Sequence, residues 1–492
     1  MTSAPHIVVV GGGLAGMAAA LACADAGSRV TVLEKRAHLG GLTWSFSHNG
    51  LTMDNGQHVF LRCCTSYAEL LAQLGVAGSV TMQDRFDVTV LSPRGRARLR
   101  RSGLPAPLHL GWSLVGYRFL SLPDRLRVGR AALALRSTDP AAPGLDRQRL
   151  GDWLAARGQN ERARRRLWDL FIVSSLNIDG DEASVPLAAT VLKTALLSSN
   201  DAADIGVPAL PLGELHGRAA ARLLDRLGAR VRLGAKAVAV EPGPGGGYLV
   251  RVGAGADGDA GEGPERGGAE PVIADGVVLA VPAGPAARLA GAAGVAGAAR
   301  WDDLGSSPIV NVHVVYDRPV MDLPFAAAVD SPVQWVFDKT RTAGLRKGQY
   351  LALSQSAAEG DVDVPVEALR ERFLPALAQL LPAAADARVT DFFVTRERRA
   401  TFRQAPGCGA LRPGAATSLP GLLLAGAWTD TGWPDTMEGA VRSGRTAAQE
   451  LIRELAGQAT RGPAGGRGSA DARPAALAGG VSPAEAAAGS PS

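Results

Sequence analysis

The N-terminal part of the chain alternates apolar runs with glycine-rich turns. Residues 7–10 form a continuous β-branched run, which is typical of a central parallel strand buried on both faces. An alanine-rich stretch from 14 to 26 predicts a helix, Gly27 ends it, and residues 29–33 form a second apolar strand. A strand, a helix and a strand in this order predict a βαβ unit, from which parallel sheets are built.

The rest of the chain shows the same two periodicities. Helices are expected at 67–75 and 215–227, a hairpin at 87–100, and a mainly helical region at 104–197. Strands are expected at 231–233, 237–241, 248–252, 276–281, 308–316, 350–354 and 389–395. Residues 253–271 and 457–492 are rich in small and charged residues, which predicts a flexible hairpin tip and a disordered tail.

The composition is that of an ordinary globular protein, and 492 residues suggest about three domains. Lysine plus arginine number 52 against 47 for aspartate plus glutamate, a thin excess that does not indicate a nucleic-acid-binding protein. The four cysteines lack C-x-x-C spacing, so neither a metal site nor a disulfide framework is expected, and a reducing compartment is favoured. Without a secretory signal pattern or an apolar stretch of about 18 residues, we expect a cytoplasmic or peripheral protein.

The first turn carries a dinucleotide-binding fingerprint in the required context. Gly11, Gly13 and Gly16 follow a strand and open a helix, a spacing that permits a tight turn, close approach of a pyrophosphate and close helix packing. The amides of the first helical residues, Leu14 and Ala15, then face the phosphate charge. A glycine-rich turn without a ligand is the alternative.

Glu34 ends the second strand, where a carboxylate can accept hydrogen bonds from both ribose hydroxyls and repel a 2′-phosphate. This element does not by itself distinguish NAD from FAD. Arg36, Gly40, Gly41 and Leu42 extend the fingerprint, and with them the sequence resembles the flavin-containing amine oxidase and carotenoid desaturase superfamily. In that superfamily the segment wraps FAD, so the resemblance implies FAD as the cofactor.

Two later segments are similar to further motifs of this superfamily. Residues 54–58 resemble a loop near the flavin, although an ordinary turn is the alternative. Residues 422–448 resemble the part that closes around the isoalloxazine end. The resemblance implies cofactor contacts here from Gly426, Asp430, Thr436, Met437 and Glu438, and an adenine contact from the backbone of Val238.

The residues before the last helix allow two interpretations. Its first amides can face N1 and O2 of the flavin, where reduction places negative charge. Asp430 would then hold the pyrophosphate–ribitol region. Asp435 and Glu438 also have capping-box spacing, so a purely structural role is the alternative for them.

The resemblance implies an α/β fold in which a Rossmann-type FAD-binding domain of the GR2-like kind is discontinuous in sequence. Its expected segments are 1–65, 205–295 and 405–456. An interleaved α+β substrate domain would be built from 66–204 and 296–404, and 457–492 would be the disordered tail. The strand and helix pattern is compatible with this division.

Within the superfamily, several segments are similar to hydroxysqualene dehydroxylases, also called squalene-associated FAD-dependent desaturases. These segments are 104–110, 121–126, 176–184, 306–320 and 426–434. The resemblance implies reductive removal of the hydroxyl of hydroxysqualene, a C30 isoprenoid, to give squalene for squalene and hopanoid biosynthesis. A carotenoid-type desaturase, an amine oxidase and a non-catalytic escort protein are the alternatives, and the sequence leaves the electron donor open.

A flavin enzyme needs protein groups that supply protons, and three candidates stand out. His58 and Asp54 belong to the loop near the flavin, and His313 shares a strand face with Asn311 by the period of two. Both residues of that strand would line the floor of the substrate domain. A packed core histidine is the alternative for His313.

One apolar segment suggests a contact with a membrane. Residues 104–122 contain Trp112, Tyr117 and Phe119 and lie beside a basic hairpin that carries Arg96, Arg98 and Arg100. Apolar aromatic residues next to cations suit a peripheral contact with anionic headgroups at the inner face of the cell membrane. A core helix beside a solvated hairpin is the alternative.

Overall fold

The computed structural model describes residues 4–243, 246–254 and 269–461. Most of the predicted hairpin tip and tail therefore lies outside the described residues. The described ends of both segments are regular, because residues 253–254 and 269–271 belong to strands and residues 457–461 continue the last helix.

The secondary structure follows the order expected from the sequence. The strands are β1 His6–Val10, β2 Arg29–Leu33, β3 Ser45–His48, β4 Leu51–Asp54, β5 Phe60–Leu61, β6 Val80–Met82, β7 Asp87–Ser92, β8 Gly95–Arg100, β9 Ile205–Pro208, β10 Arg230–Arg232, β11 Ala235–Pro242, β12 Tyr248–Ala254, β13 Ala269–Ala274, β14 Gly276–Leu279, β15 Ser307–Tyr316, β16 Phe325–Ala328, β17 Trp335–Asp338, β18 Gln349–Gln355, β19 Val389–Thr401 and β20 Leu422–Leu424. The α-helices are α1 Leu14–Asp25, α2 Thr65–Gln73, α3 Gly111–Gly116, α4 Leu122–Ser137, α5 Leu150–Ala155, α6 Glu161–Ala163, α7 Asp169–Leu176, α8 Val185–Leu192, α9 Ala219–Arg226, α10 Ala283–Ala292, α11 Thr340–Ala343, α12 Val366–Leu380 and α13 Met437–Arg461.

The first of two large sheets has five strands in the order β10-β2-β1-β14-β20, and all its pairings are parallel. The central strands β1, β14 and β20 are almost entirely apolar because both faces of the sheet are covered, and Ile7, Val8 and Val9 accordingly have no exposed surface. Helices α1 and α13 pack together on one face, where Gly444 lies against the backbone of Ala15. This arrangement confirms the predicted Rossmann-type α/β fold. The sheet takes strands from three separated stretches of chain, while the domain boundaries given above stay a prediction.

The second large sheet has seven strands in the order β19-β15-β18-β17-β16-β7-β8. Its pairings are antiparallel except for β16 with β7. The period of two divides β15 cleanly. Val310, Val312 and Val314 join the core that contains α12, whereas Asn311 and His313 lie on the opposite face.

Two parts of the helical expectations need correction. Tyr117 and Phe119 are buried in the core rather than exposed, and the Tyr117 hydroxyl donates to the Arg166 carbonyl at 2.6 Å. The helix expected at 215–227 starts earlier as a wide π-helical turn, Gly213–Arg218, and continues as α9. Among the described residues, no helix is long and apolar enough to cross a membrane.

Candidate functional site

The glycines of the first turn have two kinds of function. Gly11 has a φ of +104°, and a Cβ there would overlap the Ala280 carbonyl. A Cβ on Gly16 would overlap the Gly11 carbonyl oxygen. The fold itself therefore requires glycine at both positions, because the turn is tight and α1 packs directly on the sheet.

Gly13 is different, because no protein contact explains it. Its φ of −76° and ψ of −177° suit any residue, and a Cβ would meet only the Gly41 Cα at 3.7 Å. The missing side chain instead leaves a cradle between two glycine turns at the N-terminus of α1. A pyrophosphate fits this cradle, because the first amides of α1, from Leu14 and Ala15, have no partner within the helix.

Glu34 is buried and held by the backbone. Its two carboxylate oxygens accept from Gly12 N at 2.7 Å and from Arg36 N at 2.8 Å. Each oxygen keeps a second lone pair, which suits the predicted acceptance of two ribose hydroxyls. The Arg36 guanidinium donates to the Gly41 carbonyl at 2.9 Å, so it ties the Gly40–Gly41 turn to the end of β2.

Val238 lies where the chain can offer its backbone to a ligand. The pairing of β11 with β12 shifts register between Ala237 and Ala239, so Val238 is the extra residue of a β-bulge. The strand begins beside Glu34, since Ala235 N donates to the Glu34 carbonyl at 2.8 Å. A backbone outside the regular ladder, three residues after this contact, suits the predicted contact with adenine.

The C-terminal motif is the other part of the predicted cofactor site. Gly426 has a φ of +143°, its N–H donates to Ser443 Oγ at 2.8 Å, and a Cβ there would overlap the Trp428 indole. Asp430 is exposed and accepts from Gly432 N at 3.2 Å. Leu42 is 37% exposed and Met437 is half-buried, so both residues keep accessible surface.

The predicted capping box of Asp435 and Glu438 is wrong. Thr436 caps α13 instead, since its Oγ1 accepts from Gly439 N at 3.1 Å. The buried Glu438 carboxylate accepts from Ser66 N and Tyr67 N at 3.2 and 2.8 Å and pairs with Arg442. It serves α2 because that helix has no side-chain cap of its own. The amides of 436–438 stay candidates for the flavin contact.

Asp54 has three partners, which changes its interpretation. Oδ1 accepts from Ser45 Oγ at 2.7 Å and from Leu212 N at 2.9 Å, and Oδ2 lies 3.0 Å from Lys339 Nζ. The pair is almost fully buried. A carboxylate bound in this way fixes three segments of chain, so the geometry disfavours Asp54 as the proton donor.

His313 is enclosed on all sides. Nδ1 lies 2.6 Å from the Tyr350 hydroxyl and Nε2 lies 3.0 Å from Thr395 Oγ1, while Phe393 stacks on the ring. Burial lowers the pKa of His313 to about 3, with a smaller contribution from His48. The side chain does not line a cavity floor, and the alternative of a packed core histidine describes it.

His58 is the candidate acid or base that the structure favours among the original three. Burial lowers its pKa, although the residue as a whole is half-buried rather than fully buried. Three neighbouring polar atoms are buried without a hydrogen-bond partner among the described residues: Gln57 Nε2, His58 Nδ1 and Asn311 Oδ1. Asn311 and the His58 ring flank the same point, because both lie within 4 Å of a Cβ placed on Gly56. A polar ring system such as a flavin would satisfy these atoms.

Sequence reasoning missed some of these residues. Lys339 belongs to no motif, Gln57 lies in the segment 54–58 without being a predicted site residue, and Asn311 was expected only as a neighbour of His313. The strand period of two did place Asn311 on the opposite face from Val310, Val312 and Val314. The pairing of Lys339 with Asp54 joins residues from distant parts of the chain, and no local pattern indicates it.

Comparison with known proteins identifies relatives of this chain. A family profile described as flavin containing amine oxidoreductase matches residues 14–452. The chain is 31% identical to the hydroxysqualene dehydroxylase of Rhodopseudomonas palustris, over 90% of this chain and 97% of that protein. It is 24% identical to the 15-cis-phytoene desaturase of Narcissus pseudonarcissus, over 91% of this chain and 80% of that protein. Cyclohexylamine oxidase from Brevibacterium oxydans has a similar fold, with a TM-score of 0.67 and 20% identity over 92% of this chain and 100% of that one.

The parallel sheet, the glycine cradle at its first turn and the family match lead to the same conclusion. The protein is an FAD-dependent oxidoreductase. The chain belongs to the flavin-containing amine oxidoreductase family and, within it, to the group that contains the hydroxysqualene dehydroxylases.

Proposed function

We propose that this enzyme reductively removes the hydroxyl group of hydroxysqualene to give squalene, a step of squalene and hopanoid biosynthesis. The observation that carries the proposal is the 31% identity to a hydroxysqualene dehydroxylase along 97% of that protein. Identity to the phytoene desaturase of Narcissus pseudonarcissus is lower, at 24%. A C30 isoprenoid is therefore the substrate class that we favour.

The residues of this chain divide the work between binding and proton supply. Bound FAD supplies hydride chemistry at its N5. Glu34 and the first amides of α1 would hold the ribose and pyrophosphate, and the start of α13 would face the flavin edge that becomes negative on reduction. A hydroxyl group leaves as water only when it receives a proton, so the chain must also provide an acid.

A carotenoid-type desaturase is the second candidate, because the same fold and cofactor serve the opposite redox direction. Amine oxidation is less favoured, because the two sequence relatives described above are a dehydroxylase and a desaturase. The identity of the electron donor is not implied by any of these features.

The deciding experiment separates the two redox directions. Chemically reduced holoenzyme is incubated anaerobically with hydroxysqualene, and oxidised holoenzyme is incubated separately with squalene and with phytoene. We expect a product with the mass of squalene in the first incubation and no product in the others. Desaturated products from oxidised enzyme would overturn the proposal in favour of a desaturase.

We also propose that the enzyme collects this water-insoluble substrate at the inner face of the cell membrane. Large apolar side chains stand exposed along α3, α4 and the loop before them. They are Leu104, Leu108, Trp112, Val115, Leu122, Leu126 and Leu133. Trp112 is 72% and Leu126 73% exposed, which is unusual for residues of this size.

The charge of this surface suits an anionic bilayer. In β8, α3 and α4 the single acidic residue is Asp124, which is buried and bonded to Ser121 and Asn160. The arginines of the same elements are Arg96, Arg98, Arg100, Arg125, Arg127, Arg130 and Arg136. Arg98 and Arg100 share Asp87, so Arg96 is the better candidate of the three originally expected to contact headgroups.

A further inference from the structure

We propose that Asp435 is the acid that protonates the leaving hydroxyl group during dehydroxylation. This inference rests on the proposed function. The capping-box spacing predicts Asp435 as the N-cap of α13, but in the structure Thr436 caps this helix instead. Its position, its hydrogen bonds and its surroundings all suit a proton donor.

The position of Asp435 follows from the packing of α13. Gly444 lies against Ala15 at the start of α1, where the pyrophosphate cradle is. The first residue of α13 lies seven residues earlier, roughly 10 Å along the helix axis. Asp435 therefore precedes the end of α13 that extends past the cradle, toward the region where the flavin ring is expected.

The hydrogen bonds of Asp435 leave one oxygen available. Oδ2 accepts from Phe402 N at 2.9 Å, and the Asp435 N–H donates to Gln404 Oε1 at 3.0 Å. Gln404 is itself buried and donates to the Leu176 carbonyl at 2.7 Å. Within the described part of the chain, Oδ1 has no donor, so a proton carried by Oδ1 is free to pass to a ligand.

The same contacts place Asp435 at the junction between the two large sheets. Phe402 directly follows β19, whose Thr401 pairs with Ser307 of β15. Ser307 and Asn311 share a face of β15 and are four residues, roughly 13 Å, apart. Asn311 contributes an unpaired buried oxygen to the cluster beside His58. Phe402, the backbone partner of Asp435, thus lies at the Ser307 end of the strand whose Asn311 belongs to this cluster.

Two neighbours favour the charged form of Asp435. They are the buried guanidinium of Arg412, from the segment after β19, and the N-terminus of α13. Glu438 and Arg442 of α13 are paired with each other. Burial outweighs these influences and raises the pKa of Asp435 to about 6. The residue as a whole is half-buried.

A second carboxyl group shows why the hydrogen bonds matter. Burial raises the pKa of Asp169 to about 6 as well. Its Oδ2, however, accepts from Arg165 at 3.3 Å, and that arginine also bonds Asp179. Asp169 is held within a cluster of charges, whereas Asp435 presents a free oxygen.

The proposed step is balanced in atoms and electrons. The C–O bond of the substrate breaks and its electron pair stays on oxygen, which takes the proton from Asp435 and leaves as water. A hydride from the reduced cofactor forms the new C–H bond, so the carbon is reduced and the cofactor is oxidised by two electrons. Asp435 regains its proton from solvent after the product has left.

The test compares FAD-loaded wild type with Asp435→Asn, which preserves shape and an acceptor for Phe402 N. Asp225→Asn, on the exposed side of α9, is the control with the same charge change. The rate of flavin reoxidation by hydroxysqualene is measured in anaerobic single turnovers from pH 5 to 8. We expect the wild-type rate to fall about tenfold per pH unit above the pKa, and the Asp435→Asn rate to be 10²–10⁴-fold lower and independent of pH.

A second readout does not depend on turnover. Asp169 also has a pKa raised to about 6, so the readout is the infrared difference between wild-type and Asp435→Asn holoenzymes, in which the Asp169 contribution cancels. This difference spectrum should show the C=O band of one protonated carboxyl group that disappears as the pH rises through about 6, whereas the difference between wild type and Asp225→Asn should show no such band. A wild-type minus Asp435→Asn spectrum without this band, or a wild-type turnover rate in Asp435→Asn, would overturn the assignment.

Two further outcomes are also decisive. If Asp435→Asn fails to retain FAD, the wild-type pH profile decides, and a rate that does not change from pH 5 to 8 overturns the proposal. If wild type does not turn over hydroxysqualene at any pH, the proposed function has failed. The infrared band would then still report whether Asp435 carries the proton.

Discussion

At the scale of single residues, the value of a glycine depends on what lies beside it. Gly11 and Gly16 are required by neighbouring backbone, so replacing either should prevent folding. Gly13 faces another glycine across a gap that no protein atom fills. The three glycines of one fingerprint therefore report two different requirements, one of the fold and one of the ligand.

This difference makes Gly13→Val an informative variant. The branched side chain should fit the backbone at φ −76° but occupy the pyrophosphate cradle. We expect a folded protein with less than a tenth of the wild-type flavin content. The ratio of flavin absorbance to protein absorbance, after incubation with excess FAD, measures it. Gly129→Ala, in an open position on α4, is the control that should keep its FAD. Stoichiometric FAD in Gly13→Val would mean that the phosphate binds elsewhere.

At the scale of elements, Glu438 links two helices that are far apart in sequence. It belongs to α13, but its carboxylate accepts from the first amides of α2. A carboxylate at a helix N-terminus is favourable because it meets unpaired N–H groups and the positive end of the dipole. The contact fixes the start of α13 relative to the loop at 54–64.

We therefore expect Glu438→Ala to lower the free energy of unfolding by about 2 kcal/mol or more, because it removes a cap and leaves Arg442 without its partner. Glu438→Gln keeps an acceptor for Tyr67 N and should lose less. Melting temperatures of the two variants and wild type, measured with excess FAD, should follow the order wild type, Gln, Ala. Equal stability of all three would show that the cap contributes little.

Patterns of hydrophobicity predicted the elements with local causes and missed those fixed by distant contacts. The bounds of β2 matched the expectation because an apolar run between Gly27 and Glu34 defines them. Helix α1 matched almost as well. The burial of Phe119 and the role of Glu438 could not be read from their neighbours in sequence. Spacing alone placed Glu438 in a capping box, although its partners lie on α2.

The same limit applies to the candidate site. The glycines and Glu34 were found because their chemistry needs a fixed spacing after a strand. His313 has a plausible residue type and position, yet its two hydrogen-bond partners come from β18 and β19. Whether a histidine is a packed core residue or an accessible acid depends on such partners, which a single sequence does not reveal.

At the scale of the whole molecule, each of the two parts built around a large sheet contains a buried neutral histidine. Burial lowers the pKa of His216 and of His313 to about 3, and His216 lies 2.7 Å from the Tyr67 hydroxyl. The unfolded chain binds protons at these sites near pH 6.5, whereas the folded chain does not. Their contribution to stability is therefore complete above pH 6.5 and is lost as the pH falls toward 3, by about 1.4 kcal/mol per unit for each histidine.

The difference between wild type and His313→Gln isolates one of these groups. The raised pKa of Asp435 and of Asp169 makes the folded state more stable as the pH falls from about 6 to 3.8, which opposes the effect of the histidines. The pH dependence of wild-type stability is therefore a sum of opposite contributions. We expect the melting temperature of wild type to exceed that of His313→Gln most at pH 7 and progressively less at pH 6, 5 and 4. A difference that does not depend on pH would contradict a neutral buried His313.

At this scale, β8, α3 and α4 lie together and carry exposed apolar side chains and arginines. An enzyme that takes a C30 substrate from a bilayer needs such a face, because the substrate scarcely enters water. Apolar insertion and headgroup attraction should contribute separately, the second at about 1 kcal/mol per arginine near an anionic surface. Salt therefore distinguishes them, since it screens the charges but not the apolar contact.

Liposome pelleting at low and high salt tests whether this face binds a membrane. Trp112→Ser with Leu126→Ser should weaken pelleting with anionic liposomes at any salt, because both side chains are exposed in the free protein. Phe119 is unsuitable for this test, since it is buried and its loss would disturb the core. Arg96→Ser with Arg130→Ser should weaken pelleting mainly at low salt. If wild type fails to pellet even at low ionic strength, this face does not dock to a membrane, and the substrate must enter by another route.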